Sequence, residues 1–179
     1  MLERVGATTQ FGSPQSFAVR AARNARWLAV GDARLGNGRI AWIDARAGGV
    51  TYRSTHLEID VDLSAHTLTL RDGRRILRKA LVGVGRRGSP TPAGRFAITD
   101  KLPGPAYSPY YGCCILALSA TQPSLPHGWR GGDRVAIHGT PNTGDFGRDI
   151  SAGCVHAPDA LLQYLTRTAP LGTPVIIRR

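Results

Sequence analysis

The chain has 179 residues, 42% of them hydrophobic, which suits one ordinary domain or a domain with a small added module and excludes a disordered polymer. No stretch of about 18 apolar residues occurs, which excludes a transmembrane helix, and Met1 to Gly6 carry no apolar signal core. The formal net charge is +11, nearly all of it Arg, with Lys79 and Lys101 the only lysines; such a surface favours polyanions, yet the charge is scattered and no aromatic-interleaved basic stripe marks nucleic-acid binding.

Residues 1 to about 15 are polar and read as a tail or first strand. Arg26 to Val30 and Arg39 to Ile43 are short β-compatible runs around a glycine-rich loop, and Asn37-Gly38 is a hairpin turn signal. Trp27, Gly38 and Trp42 resemble a small bacterial SH3-like barrel; an ordinary hairpin packed on the main domain reads equally well. Ala47-Gly48-Gly49-Val50 is the boundary candidate, giving an N-terminal β module over 1–52 and a main domain over 53–179. Leu57 to Leu63 alternates apolar and acidic residues with period two, the mark of a half-buried strand. Thr67 to Leu70 alternates again, Asp72-Gly73 turns the chain, and Ile76 to Val84 forms the next strand.

Gly83 to Gly88 matches GxGxxG in form only. A dinucleotide fingerprint opens a helix, whereas Pro90 and Pro92 follow here, and the missing N–H groups and fixed φ of proline disfavour one. Arg95 to Thr99 is a strand. Leu102 to Pro109 is too proline-rich for regular structure and serves as a stiff connection or a lid. Cys113 to Leu118 and Val135 to Ile137 are apolar strands, Ala157 to Leu165 a short helix, and Thr173 to Ile177 a final strand. The fold class is mainly β, sandwich-like, with one short helix of any length.

Three cysteines are present: Cys113, Cys114 and Cys154. A vicinal pair bridges poorly because it strains the backbone, and an odd count leaves a thiol free; Cys113 and Cys114 are expected as small apolar residues on a strand. No CxxC or HExxH spacing exists, so neither a metal nor a cofactor is expected. The chemistry concentrates in Val135 to His156, a polar loop that begins with His138 and ends with Cys154. A Cys and a His that meet make a nucleophile and its base. The helix after Cys154 is expected to place the thiol at a positive dipole end, which lowers its pKa. Gly153 permits a sharp turn beside it.

His138-Gly139-Thr140 followed by Ser151-Ala152-Gly153-Cys154-Val155 resembles the signature of the L,D-transpeptidase (YkuD-type) catalytic domain. The stretches Gly83-Val84-Gly85 and Ser89 to Thr99, with their Pro-Thr-Pro-x-Gly core, and the meander from Asp62 to Gly73 are similar to it as well. The resemblance covers roughly residues 55 to 179. It implies a YkuD-like β-sandwich and a cysteine acyltransferase that forms 3–3 peptidoglycan cross-links through a thioester. Cys154 is then the nucleophile, His138 the base, and the carbonyl of Ser151 its orienting group. Amides of Ala152, Gly153 and Cys154 hold the oxyanion, and His156, Gly139, Thr140 and Ser119 complete the substrate contacts. Ala152 stands where the family has His, and His156 where it has Arg or Asn.

The implied partners are peptidoglycan stem peptides as donor and acceptor, anionic wall polymers, and carbapenem-type β-lactams as covalent inhibitors. Neither nucleic acid nor a membrane span is implied. The implied location is exported, at the cell wall, with the export signal outside this sequence. Two other readings stand beside it: an L,D-carboxypeptidase or related cysteine hydrolase of wall peptides, and a wall-binding protein whose catalytic site has decayed.

Overall fold

The computed structural model describes residues 5–129 and 132–179. Among the described residues thirteen strands and one α-helix follow one another. Three strands come first: β1 (Val19–Arg23), β2 (Trp27–Val30) and β3 (Ala41–Asp44). Then come β4 (Leu57–Asp62), β5 (Thr67–Asp72), β6 (Arg75–Leu81), β7 (Val84–Gly85), β8 (Gly94–Pro103), β9 (Cys114–Thr121) and β10 (Arg134–His138). The chain closes with β11 (Asp149–Ser151), β12 (Val155–His156), α1 (Asp159–Thr168) and β13 (Pro174–Arg178).

Eight strands make one sheet in the order β12-β10-β9-β8-β13-β4-β5-β6. The sheet curls, and its inner face supplies both layers of the expected sandwich. The alternation read in β4 explains the layering. Ile59 and Val61 are fully buried, while Asp60 and Asp62 face outward and pair with Arg178 of β13 at 2.9 and 2.8 Å. The last strand thus lies parallel to β4 and antiparallel to β8, in the middle of the sheet. β5 and β6 turn on Gly73, whose φ of +55° suits glycine. Inside lie Leu68, Leu70, Ile98, Leu116, Leu118 and Ile137, closed by Leu161, Leu162 and Leu165 of α1. Each such buried side chain contributes about 1.5–3 kcal/mol of apolar transfer.

The N-terminal strands form an open sheet, β1-β2-β3, and close no SH3-type barrel among the described residues. β2 and β3 pair antiparallel as a hairpin does, but Asn37 does more than turn it. Its amide donates to the Thr121 carbonyl at 2.6 Å and accepts from the Thr121 amide at 2.9 Å, so one side chain caps the end of β9. Thr9 bonds Asp100 and Arg20 bonds the Arg95 carbonyl, both across to β8. Phe11 packs edge-on against Tyr107 of the proline-rich segment.

The GxGxxG match leads into a loop, with the Gly85 amide donating to Thr91 Oγ1 at 2.8 Å, so no phosphate-binding helix follows. The cysteine expectation is corrected. Cys113 and Cys114 are joined as a vicinal disulfide. The energetic argument against such a pair is a preference, and here the backbone is gripped from both sides: the Cys113 amide donates to Asp159 Oδ2 at 3.1 Å and its carbonyl accepts from Gly104.

Candidate active site

β10 is a buried strand, with Val135 and Ile137 fully inside, and it delivers His138 at its end. β12 runs parallel beside it, with Ile137 opposite Val155 and His138 opposite His156. That ladder places Cys154, one residue before β12, at the same end of the sheet. The His138 and His156 rings lie 4.7 Å apart, tilted by 49°. The Tyr111 ring meets His138 edge-on, also at 4.7 Å.

His138 Nδ1 lies 2.6 Å from the carbonyl oxygen of Gly139. A carbonyl only accepts, so Nδ1 carries the proton and Nε2 carries the lone pair. The orienting carbonyl is therefore that of Gly139 and not, as the resemblance suggested, that of Ser151. The Ser151 carbonyl is already engaged by the Arg86 amide at 3.0 Å, in the pairing of β11 with β7. Gly139 can serve because it has no Cβ: a methyl there would overlap Asp159 Oδ1 and the Gly112 backbone.

Cys154 is the free thiol of the chain. The residue is only partly buried, but its thiol is crowded by protein. Burial pushes its pKa up, partly opposed by a backbone hydrogen bond from Ala136. The expected dipole activation is corrected: α1 begins at Asp159, five residues on, with β12 in between. Burial also lowers His138 to about 4, helped by the facing His156 and opposed by the Gly139 carbonyl and by Asp145. The resting pair is thus a neutral thiol and a neutral imidazole. Tyr111 keeps its phenolic proton beyond the usual range through burial and then through the nearby Cys154.

The turn that carries Cys154 is shaped by side chains. Ser151 Oγ donates to the Cys154 carbonyl at 2.5 Å and accepts from the Gly153 amide at 3.0 Å. This removes Gly153 N–H from the expected oxyanion donors. Gly153 has φ +123°, and a Cβ there would overlap the Gln122 amide. Gln122 Nε2 in turn donates to the carbonyls of Ala152 and Pro90, at 3.2 and 2.9 Å. It ties the Cys154 turn to the Pro-Thr-Pro loop.

Ser119 lies elsewhere. Its Oγ accepts from the Ala97 amide at 3.0 Å, and it lines a cavity of about 220 Å³ under the N-terminal segment with Thr9, Phe17, Thr99 and Arg134. His56 and His127 are exposed, and His66 pairs with Asp149 at 2.8 Å.

Three site residues were not singled out from the sequence: Tyr111, Gln122 and Asp145. Asp145 is buried, and its Oδ2 accepts from Thr140 Oγ1 at 2.9 Å and from His156 Nδ1 at 2.7 Å. Its place in the polar loop that begins with His138 was the only available signal for it. Among the described residues no group of three or more His, Cys, Asp and Glu side chains could hold a metal.

Residues 57–177 match the family model described as the YkuD L,D-transpeptidase catalytic domain. The YkuD protein of Bacillus subtilis (strain 168) is 30% identical over 123 residues, covering 68% of this chain and 65% of that protein. The YkuD protein of Bacillus licheniformis is 30% identical over 119 residues, covering 66% and 64%. The matched region thus spans just under two thirds of the length of these relatives. Among solved structures, an L,D-transpeptidase from Mycobacterium smegmatis aligns with a TM-score of 0.57 at 19% identity, covering 92% of this chain and 95% of that one. An L,D-transpeptidase solved in complex with imipenem aligns at 0.55 and 16% identity, with the same coverage. At these identities the likeness is one of fold, and it extends into the N-terminal sheet. The family model, matched along two thirds of the chain and across both His138 and Cys154, places this protein among the YkuD L,D-transpeptidase catalytic domains.

Proposed function

We propose that this chain is a peptidoglycan L,D-transpeptidase that forms 3–3 cross-links through a Cys154 thioester. The observation that carries the reading is the His138 tautomer. With Nδ1–H fixed on the Gly139 carbonyl, Nε2 is the basic atom, on a ring that Tyr111 meets edge-on and that ends the strand paired with β12, which Cys154 directly precedes. Because both groups rest neutral, the proton moves during attack. Sγ adds to the donor carbonyl while its proton passes to Nε2. The tetrahedral adduct then collapses, the C–N bond breaks, and Nε2–H protonates the departing amine. A second stem's amine adds to the thioester, gives its proton to Nε2, and displaces the thiolate, which is reprotonated. The amides of Ala152 and Cys154 and the protonated phenol of Tyr111 are the donors assigned to the oxyanion.

The donor is a tetrapeptide stem and the acceptor a side-chain amine of a neighbouring stem. The enzyme works outside the cytoplasm at the wall, where the basic surface suits anionic polymers. Among the described residues no helix is long and apolar enough to cross a membrane. The reading is tested by incubating the purified protein with a tetrapeptide stem and resolving the products by mass. A cross-linked dimer lacking one terminal residue supports transfer. Tripeptide alone makes the protein an L,D-carboxypeptidase, and no turnover with retention on insoluble peptidoglycan makes it a wall-binding protein.

A further inference from the structure

Beside the Cys154–His138 pair lies a second imidazole that the reaction above leaves idle. His156 sits in register with His138 across the β10–β12 ladder, ring against ring at 4.7 Å. Its side chain keeps 18% of its surface open, while the Asp145 side chain keeps only 9%. Asp145 comes from the loop between His138 and β11, eleven residues before His156. Its Oδ2 takes two hydrogen bonds, from Thr140 Oγ1 and His156 Nδ1. The loop is held against the sheet: the Gly83 and His156 backbones bond each other in both directions, and the Gly147 amide donates to the Val82 carbonyl. A Cβ on Gly83 would overlap the Asp145 carbonyl. A buried carboxylate with no Lys or Arg partner among the described residues, spent on one hydroxyl and one imidazole, is a costly way to fill a loop.

We propose that Asp145 is a positioning residue that holds His156 in the Nδ1–H tautomer and presents its Nε2, beside His138, to the N–H of the incoming amine. The inference rests on the transpeptidase reading, because only a transferase has that amine. In the neutral ring Nε2 is an acceptor, and among the described residues no protein atom hydrogen-bonds it. Thr140 fixes the carboxylate from the other side, so the chain Thr140–Asp145–His156 sets one ring orientation. His138 is then shared between donor and acceptor chemistry, whereas His156 contacts the acceptor alone.

The test separates the two halves of the reaction. Acylation by a carbapenem needs no amine and is followed by intact mass; transfer is followed with stem peptides at varied acceptor concentration. For His156→Asn and Asp145→Ala the expected result is a loss of transfer that clearly exceeds any loss of acylation. The acceptor KM should rise roughly three- to tenfold, the worth of one hydrogen bond, with more hydrolysis product. In ¹⁵N-labelled protein, His156 should show the Nδ1–H tautomer in the parent and lose it in Asp145→Ala. Equal loss of acylation and transfer would overturn the proposal, as would an Nε2–H tautomer of His156 in the parent. If the parent is never acylated, the transpeptidase reading fails, and the NMR measurement still decides whether Asp145 positions His156.

Discussion

His138 and Cys154 bracket one stretch of chain but are held in different ways. His138 ends a buried strand, and its ring is oriented by a backbone carbonyl one residue on. Cys154 rides on a turn whose shape depends on Ser151, Gln122 and a glycine at positive φ. A base placed by main chain tolerates side-chain change around it. A nucleophile placed by side-chain hydrogen bonds does not. The difference predicts that single substitutions near the thiol disturb the site more than those near the imidazole, apart from loss of the two reacting groups themselves.

The largest effects come from those two groups. Cys154→Ala and His138→Ala should each lower transfer by about a thousandfold or more while leaving the fold intact, as removal of one member of a catalytic unit does; circular dichroism and turnover on stem peptides check this. Next comes pH. Below pH 6.5 an unfolded His138 takes up a proton that the folded, buried ring refuses until about pH 4. Stability is therefore full above that window and is lost as pH falls through it, by about 3 kcal/mol. Urea midpoints between pH 7 and 4 should show the loss, and His138→Gln should show less of it.

The comparison sharpens at the turn. Gly153→Ala forces a Cβ into the Gln122 amide at a φ that alanine rarely adopts. It should destabilise the protein by about 3 kcal/mol and slow acylation in step. Ser151→Ala removes the hydroxyl that bridges Gly153 and Cys154, a loss of about 1–2 kcal/mol. Gln122→Ala should cost about 1 kcal/mol and loosen the Pro90 loop. Thermal denaturation orders the three. If Thr140→Val, on the His138 side, slowed carbapenem acylation more than Ser151→Ala does, the contrast between the two ends would be wrong.

Period-two alternation made β4 legible in the sequence, because Ile59 and Val61 are buried and the residues between them are not; in β5 Leu68, Thr69 and Leu70 are all buried, and β6 has no buried residue. The His138 to Cys154 string was legible as a family signature because its residue types recur in a fixed order along the chain. β1 was not: four of its five residues are exposed, so no alternation marks it. β11 and β12 are too short for any period and exist only through pairing with β7 and β10. The failures at the site share one cause. Which carbonyl orients His138, which amide Ser151 occupies, and that Asp145 meets His156 are all decided by how loops cross. No spacing in the sequence encodes that.

The Cys154 thiol and its neutral partner His138 are tested most directly by intact-protein mass spectrometry after exposure to a carbapenem. The account predicts a single covalent adduct, mapped by peptide analysis to Cys154, absent from Cys154→Ala and formed far more slowly in His138→Ala. No adduct on the parent after long incubation, or an undiminished adduct on Cys154→Ala, would contradict it.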